Sequence, residues 1–374
     1  MSAVAVVGAG VGGLCAALGL AADGHEVTVL ERASGLEAVG AGLVLAPNAV
    51  LALARLGVHL DGEGQVLSRI EVCGRGGDPL STIDLTRLAG AHGPTYAITR
   101  PRLHALLAAA LPPSVEVLLD APVTAVEASG RTVTVAWSGS RREVDVVVAA
   151  DGLRSAVRTM VGGPARLRYS RNTCWRGVAP LDVGDAAVES WGDGHRVGVV
   201  PVGAGQVYYY LVQVAPAGVE TPTSVTQLRA MFPGHAKTAG HLLDSLVAMP
   251  PLHHDLYELG RPYWGRGRVL LLGDAAHAMT PNQGQGAAMA VEDALAVTAA
   301  LRTGPDGALD RYRAARHRRV RQVQLTSRRI GTVANLRGPG VTRVRQTMMR
   351  LAPPYSATAA MRRLVTCGPV TTNP

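Results

Sequence analysis

Gly8, Gly10 and Gly13 form a GxGxxG pattern directly behind the apolar run Val4 to Val7 and at the opening of a segment with helical apolar spacing. In that context Gly8 permits a tight turn, Gly10 lets a backbone approach a pyrophosphate, and Gly13 lets the helix pack close on the strand. The helix N-terminus attracts phosphate. Glu31 ends the next strand, 18 positions after Gly13, where a carboxylate can bind both hydroxyls of a ribose. These residues predict dinucleotide binding. They do not choose the dinucleotide, because a nicotinamide dehydrogenase would carry the same turn, and a glycine-rich turn that binds nothing is the plainer alternative.

Further along, LLLGDAAHAMTPNQGQGAAMA brings a buried strand to Gly273-Asp274, and Gly284 and Gly286 stand where a new helix starts. A reduced flavin carries negative charge near N1 and its C2 carbonyl, which free N–H groups at a helix start stabilise; the glycines allow close approach. A glycine-rich helix start capped by Asn282 is the other reading. In VVVAADGLRSAVR, Asp151 and Gly152 form a turn in which Asp151 shapes the loop. Arg154 and Arg158 are a turn apart and also suit pairing with surface acids. His277 is read as packing or loop-fixing more than as a general base. The pairs His253-His254 and Glu292-Asp293 have no supporting constellation and are assigned to structure.

These residues need elements to position them. The order strand, GAGVGG turn, helix, EVTVLER strand is a βαβ unit, and VDVVVAADG (144–152) and RVLLLGDAAHA (268–278) are further buried strands ending in turns. Between about 170 and 265 the pattern alternates and is rich in Val and Tyr, which suits antiparallel strands of an inserted unit. The stretch 67–85 shares that character and pairs with it. TRPRLHALLAAAL and AAMAVEDALAVTAALR read as helices, and the C-terminal portion is mostly helical.

The chain has 374 residues, 47% apolar and 17% charged, with 44 glycines, enough for a large globular core and unlike a disordered or heptad-built protein. Its net charge of +9 is carried by arginine, Lys237 being the only lysine. The late arginines, Arg311, Arg313, Arg316, Arg318, Arg319, Arg321, Arg328 and Arg329, read as a solvated helix, with phosphate recognition second. No zinc spacing, no basic zipper and a single Phe argue against nucleic acid. Cys15, Cys73, Cys174 and Cys367 are scattered, which suggests reduced thiols, and no metal site is expected. Residues 3–22 lack the basic flank of a signal peptide, and no other segment has the apolar length to cross a bilayer. A cytoplasmic protein without integral membrane association, monomer or homodimer, is expected.

The GD segment resembles the flavoprotein hydroxylase family of the p-hydroxybenzoate hydroxylase type, in the branch of the salicylate and 3-hydroxybenzoate hydroxylases. VVVAADGLRSAVR matches the family's DG motif, GAGLVLAPNAVLALARLGV (40–58) resembles the stretch whose backbone lies along the flavin, and Arg100 in ITRPRLHALL holds the place of an FAD-contacting arginine. The resemblance runs from Ala3 to about Arg302. It implies an α/β chain: a Rossmann-like, glutathione-reductase-type FAD-binding domain over 1–68, 98–168 and 266–338, an inserted β-sheet substrate domain over 69–97 and 169–265, and C-terminal helices over 339–374. It also implies FAD contacts at Gly8, Gly10, Gly13, Glu31, Arg32, Gly42, Arg100, Val123, Asp151, Asp274, Gly284, Gly286 and Ala287, with Asp274 on a ribityl hydroxyl.

The implied reaction has NADPH or NADH reduce FAD transiently, O2 add at flavin C4a, and the resulting hydroperoxide pass an OH to an electron-rich aromatic or polycyclic small molecule. For the substrate, Tyr208 and Tyr210 share one strand face and Tyr209 the other, so two phenols either meet a substrate or pack the sheet. Arg176, His195 and Pro281 are further pocket candidates, and in the family the place of Pro281 lies near the reacting centre. Relatives that perform Baeyer–Villiger oxidation, epoxidation or dehydrogenation share these motifs, and a noncatalytic flavin-binding protein is the alternative from another class. A halogenase would need a W-x-W-x-I-P segment and an active-site lysine, which are not found.

Overall fold

The computed structural model describes all residues except 37–39, 163–165, 251, 354 and 367–374, so Cys367 lies outside the described residues. Its first layer grows from the β-branched runs, which are too apolar to face water and stack into one sheet. Six strands run in the order Gly265–Arg266, Val269–Leu271, Val146–Ala149, Ala3–Val7, Glu26–Leu30, Glu116–Leu118. All pairs are parallel except the first, which is antiparallel. Helices Val11–Ala22 and Gly286–Leu301 cover one face, where Leu14, Val29, Val148, Leu272 and Met289 are fully enclosed. Glycines allow that approach: a Cβ on Gly12 would stand 2.7 Å from Leu272, and one on Gly13 would stand 1.9 Å from the Gly8 carbonyl oxygen. A three-stranded sheet, Val123–Ser129, Thr132–Trp137 and Ser140–Val144, packs on the other face.

The alternating middle of the chain forms a seven-stranded sheet in the order Leu252–Leu259, Leu167–Pro180, Gln206–Val214, His195–Gly203, Ala186–Trp191, Arg69–Gly74, Pro79–Asp84. Strand Arg69–Gly74 joins it by parallel pairing with Ala186–Trp191, so the early stretch does pair with the later one. Helices Val225–Ala230 and Lys237–Ser245 close one face over Trp175, Val197, Val199 and Tyr209. The other face carries Tyr208 and meets a small sheet of Gly42–Leu45, Tyr96–Thr99 and Gln65–Val66. Period-two alternation therefore sorts the tyrosines as the sequence predicts.

The long helix Ala308–Ala334 packs on Gly286–Leu301 and is not simply solvated. Arg316 is fully buried between Glu292 (2.5 Å) and Asp293 (2.7 Å), and Arg319 pairs with Glu292 at 2.6 Å. Two acids assigned no constellation and two arginines assigned to solvent thus neutralise one another in the core. Helices Pro339–Leu351 and Ser356–Thr366 complete the described chain.

Candidate cofactor and substrate site

Gly8 has φ +97°, and its pro-Cβ direction points 2.7 Å from the Ala150 carbonyl oxygen, so the turn requires glycine both for conformation and for space. Gly10 is extended and open, with no atom within 4 Å of a Cβ placed there, and no side chain caps the helix it starts. Glu31 holds this turn from below: Oε2 accepts from the Ala9 N–H at 2.7 Å and Oε1 from the Ala33 N–H at 2.9 Å. His104, on the helix Arg100–Ala109, meets the Ala9 carbonyl at 2.6 Å. The first residues past the strand are thus fixed while the amides ahead of them stay free to bind.

Asp151 abuts the same turn. Its Oδ2 accepts from the Val157 N–H at 3.1 Å, and its buried Oδ1 has no partner among the described residues. Arg158 does not pair with a surface acid: it is buried and donates to the Leu153 (2.8 Å) and Ala275 (2.7 Å) carbonyls. It clamps the DG loop to the turn that carries Asp274. Arg154 is exposed.

Asp274 is accessible to solvent yet so enclosed that desolvation raises its carboxyl above the ordinary value, against the opposing charges of His277 and Arg100. Such a carboxylate lines a cleft. Beyond it, the 3-10 turn Pro281–Gln283 ends at Gly284 with φ +63°, and the helix Gly286–Leu301 begins with no side-chain cap. Asn282 does not cap it; its side chain donates to the Ser327 carbonyl and accepts from Arg196 at 3.0 Å. Gly284 is exposed and Gly286 and Ala287 are half-buried at this opening.

The face of the large sheet that carries Tyr208, partly covered by the small sheet, holds the remaining candidates. Arg176 lies across from Tyr210, Val178 across from Tyr208, and Cys174 across from His254. Directly opposed residues share a face, so Tyr208, Tyr210, Arg176 and His254 look the same way. Burial pushes Tyr208 up to about 12 and Tyr210 well above the ordinary phenol, so both remain neutral hydrogen-bond donors. Burial, then the Arg176 charge, lowers His254 to about 4, leaving a neutral imidazole. Arg100 also lowers His254 and opposes the rise at Asp274, so its charge lies within electrostatic reach of both.

His254, structural on the sequence alone, is exposed on the sheet face that carries Tyr208, while its neighbour His253 stacks on Trp175 at 4.6 Å. Period-two alternation at a double histidine is the signal that separates them. His195 departs from the expected pocket: its ring points to the helical side, bonded to His235 at 2.8 Å and edge-on to Phe232. Its neighbour Arg196 takes the cleft face, paired with Glu189 at 3.1 Å. Gly42 is seated against Tyr208, whose Cγ would lie 2.4 Å from a Cβ there. Arg32 is exposed past its strand, and Val123 opens the small sheet opposite Trp137.

An unpartnered buried Asp151 oxygen, a glycine turn with open amides, an enclosed but accessible carboxylate and an uncapped glycine-rich helix start fit a flavin dinucleotide. Comparison with known proteins agrees. Residues 1–327 match the family model described as FAD binding domain, and the chain belongs to that family. It is 34% identical to the aurachin C monooxygenase/isomerase of Stigmatella aurantiaca, over 96% of this chain and 97% of that protein. It is likewise 34% identical to a 2-heptyl-3-hydroxy-4(1H)-quinolone synthase of Pseudomonas aeruginosa, over 97% of each. Klebsiella pneumoniae HpxO, solved with FAD and uric acid, superposes with a TM-score of 0.89 at 29% identity, covering 98% of both chains. The chain is a flavoprotein of the FAD-dependent monooxygenase type. Among the described residues no helix is long and apolar enough to cross a membrane, and no cluster of residues suits a metal.

Proposed function

We propose that this protein hydroxylates a fused bicyclic nitrogen heteroaromatic bearing a ring carbonyl, with NADPH or NADH as the electron source. The observation that carries the reading is the 3.0 Å hydrogen bond from Arg196 to Asn282, which joins the polar face of the large sheet to the turn before the glycine-rich helix. It supports a single opening shared by Asp274, Gly284 and Pro281 on one side and Tyr208, Tyr210, Arg176 and His254 on the other. The quinolone and uric acid in the names of relatives are both bicyclic and nitrogen-containing.

Bound FAD supplies the electron and oxygen chemistry. In our reading the open amides at Gly10 and Val11 receive the pyrophosphate, Glu31 a ribose, Asp274 a ribityl hydroxyl, and the helix start at Gly286 and Ala287 the electron-rich end of the ring system. Arg32, Gly42, Arg100, Val123 and Asp151 complete the contacts. The chain's own part in the reaction is placement and exclusion of water. Neutral Tyr208 and Tyr210 donate to the substrate's ring oxygen, Arg176 supplies the cation that favours negative charge developing there, and Pro281 covers the reacting side.

The test is turnover by flavin-loaded protein across 4-quinolones, purines and simple phenols, following NAD(P)H oxidation, oxygen uptake and product mass. A gain of one oxygen on a bicyclic substrate with the ring intact supports hydroxylation. Ring expansion or dehydrogenation would replace it with another flavin oxidation, and no substrate-stimulated NAD(P)H consumption would leave a binding protein.

A further inference from the structure

Helix Pro339–Leu351 is held on one side only. Of its 13 residues just Arg345 is buried, donating to the carbonyls of Ala334 (3.0 Å) and Gly192 (3.2 Å) with its guanidinium over the Trp191 ring at 5.4 Å. On the outward side Val341, Val344, Met348 and Leu351 follow at helical spacing, rising from 46% exposed at Val341 to 79% at Leu351. Four large apolar residues in one exposed row are unusual for a face that meets only water. Arg343 and Arg350 form the adjoining row, both exposed; Arg350 stands 3.7 Å from the exposed Asp78, and Arg343 has no ion-pair partner among the described residues.

The surroundings say what such a face fits. The last acidic residue of the chain is Asp310, and 14 arginines follow it. A second copy laid on this stripe would bring arginine rows together with no acid on the helix to meet them. An apolar stripe beside a cationic row instead complements a surface that is apolar beneath and negative on top.

We propose that Pro339–Leu351 docks the protein on an anionic lipid surface, with Val341, Val344, Met348 and Leu351 entering the headgroup boundary and Arg343 and Arg350 meeting lipid phosphates. The helix lies on the membrane and does not span it. This is independent of the reaction proposed above and stands or falls without it.

The flavin-loaded full chain is sedimented with phosphatidylcholine vesicles with and without phosphatidylglycerol. Binding is expected only with the anionic lipid and weakens with added salt. Arg343→Gln lowers vesicle affinity about fivefold, and Val344→Ser with Met348→Ser abolishes it while flavin content and turnover stay unchanged. Absence of lipid-dependent sedimentation overturns the proposal, as does binding that survives the Val344→Ser, Met348→Ser change. A dimer in sedimentation velocity that this double variant converts to monomer also overturns it, assigning the stripe to a second copy.

Discussion

His277 Nε2 lies 2.5 Å from Asp293 Oδ2 in the protein interior, so the turn that carries Asp274 is tied to the helix that begins at Gly286. Asp293 also accepts from the Gly273 N–H at 3.0 Å and from Arg316 at 2.7 Å. Burial alone would raise its pKa, but His277 and Arg316 hold it down at about 2. A carboxyl lowered on folding stabilises above its unfolded value, and that stability is lost as pH falls toward 2. Asp293→Ala leaves Arg316 short of one partner and is expected to cost about 3–5 kcal/mol, read from urea denaturation at neutral pH. Unchanged stability would mean that the cluster does not hold this turn.

The histidines behind the large sheet predict the acid limit. Burial lowers His235 to about 3, and His195 is lowered by burial and by Arg75. A histidine lowered on folding contributes stability that is complete above pH 6.5 and falls as pH drops toward its folded value. The slope approaches about 1.4 kcal/mol per pH unit for each group. Denaturation midpoints measured from pH 7 to pH 4 should fall accordingly, and His235→Gln should flatten the curve.

Flavin retention should separate two carboxylates. Asp274→Ala removes a group facing the cleft, whereas Glu31→Ala also releases the Ala9 and Ala33 amides. Each is expected to weaken FAD binding about tenfold to a hundredfold, and Glu31→Ala to lower apoprotein stability as well. Flavin absorbance per chain after gel filtration, beside melting of the apoprotein, checks both. Full flavin content in both variants would refute their assigned roles.

Gly42 and Tyr208 should behave as one unit. A methyl on Gly42 would lie 2.4 Å from Tyr208 Cγ, so Gly42→Ala is expected to cost about 1–3 kcal/mol and to slow turnover. Tyr208 Cβ would itself lie 2.5 Å away, so with Tyr208→Gly already in place, which removes both Cβ and ring, the same substitution should cost much less. A double-mutant cycle on stability reads this coupling, and additive effects would deny it.

The parts of the site built from local pattern were legible before the structure. The glycine turn, the place of Glu31 and the alternation of Tyr208 with Tyr209 follow from spacing within one or two elements, whereas the role proposed for Asp274 rests on the family resemblance. The buried ion cluster did not, because Arg316 sits in an arginine-rich run whose partners lie on another helix more than 20 positions away, and nothing local distinguishes it from solvated Arg318. Residue type alone names His195 as a pocket candidate, but strand parity decides the face, and it gives the Tyr208 side to Arg196 and His254 instead.

The acid-free stretch after Asp310 has an effect that reaches beyond its helix. Its 14 arginines exceed the +9 of the whole chain, so the first 310 residues are net negative. An anionic surface would therefore attract the exposed arginines of this last stretch more than the rest of the chain, over a range set by the screening length of about 8 Å at physiological salt.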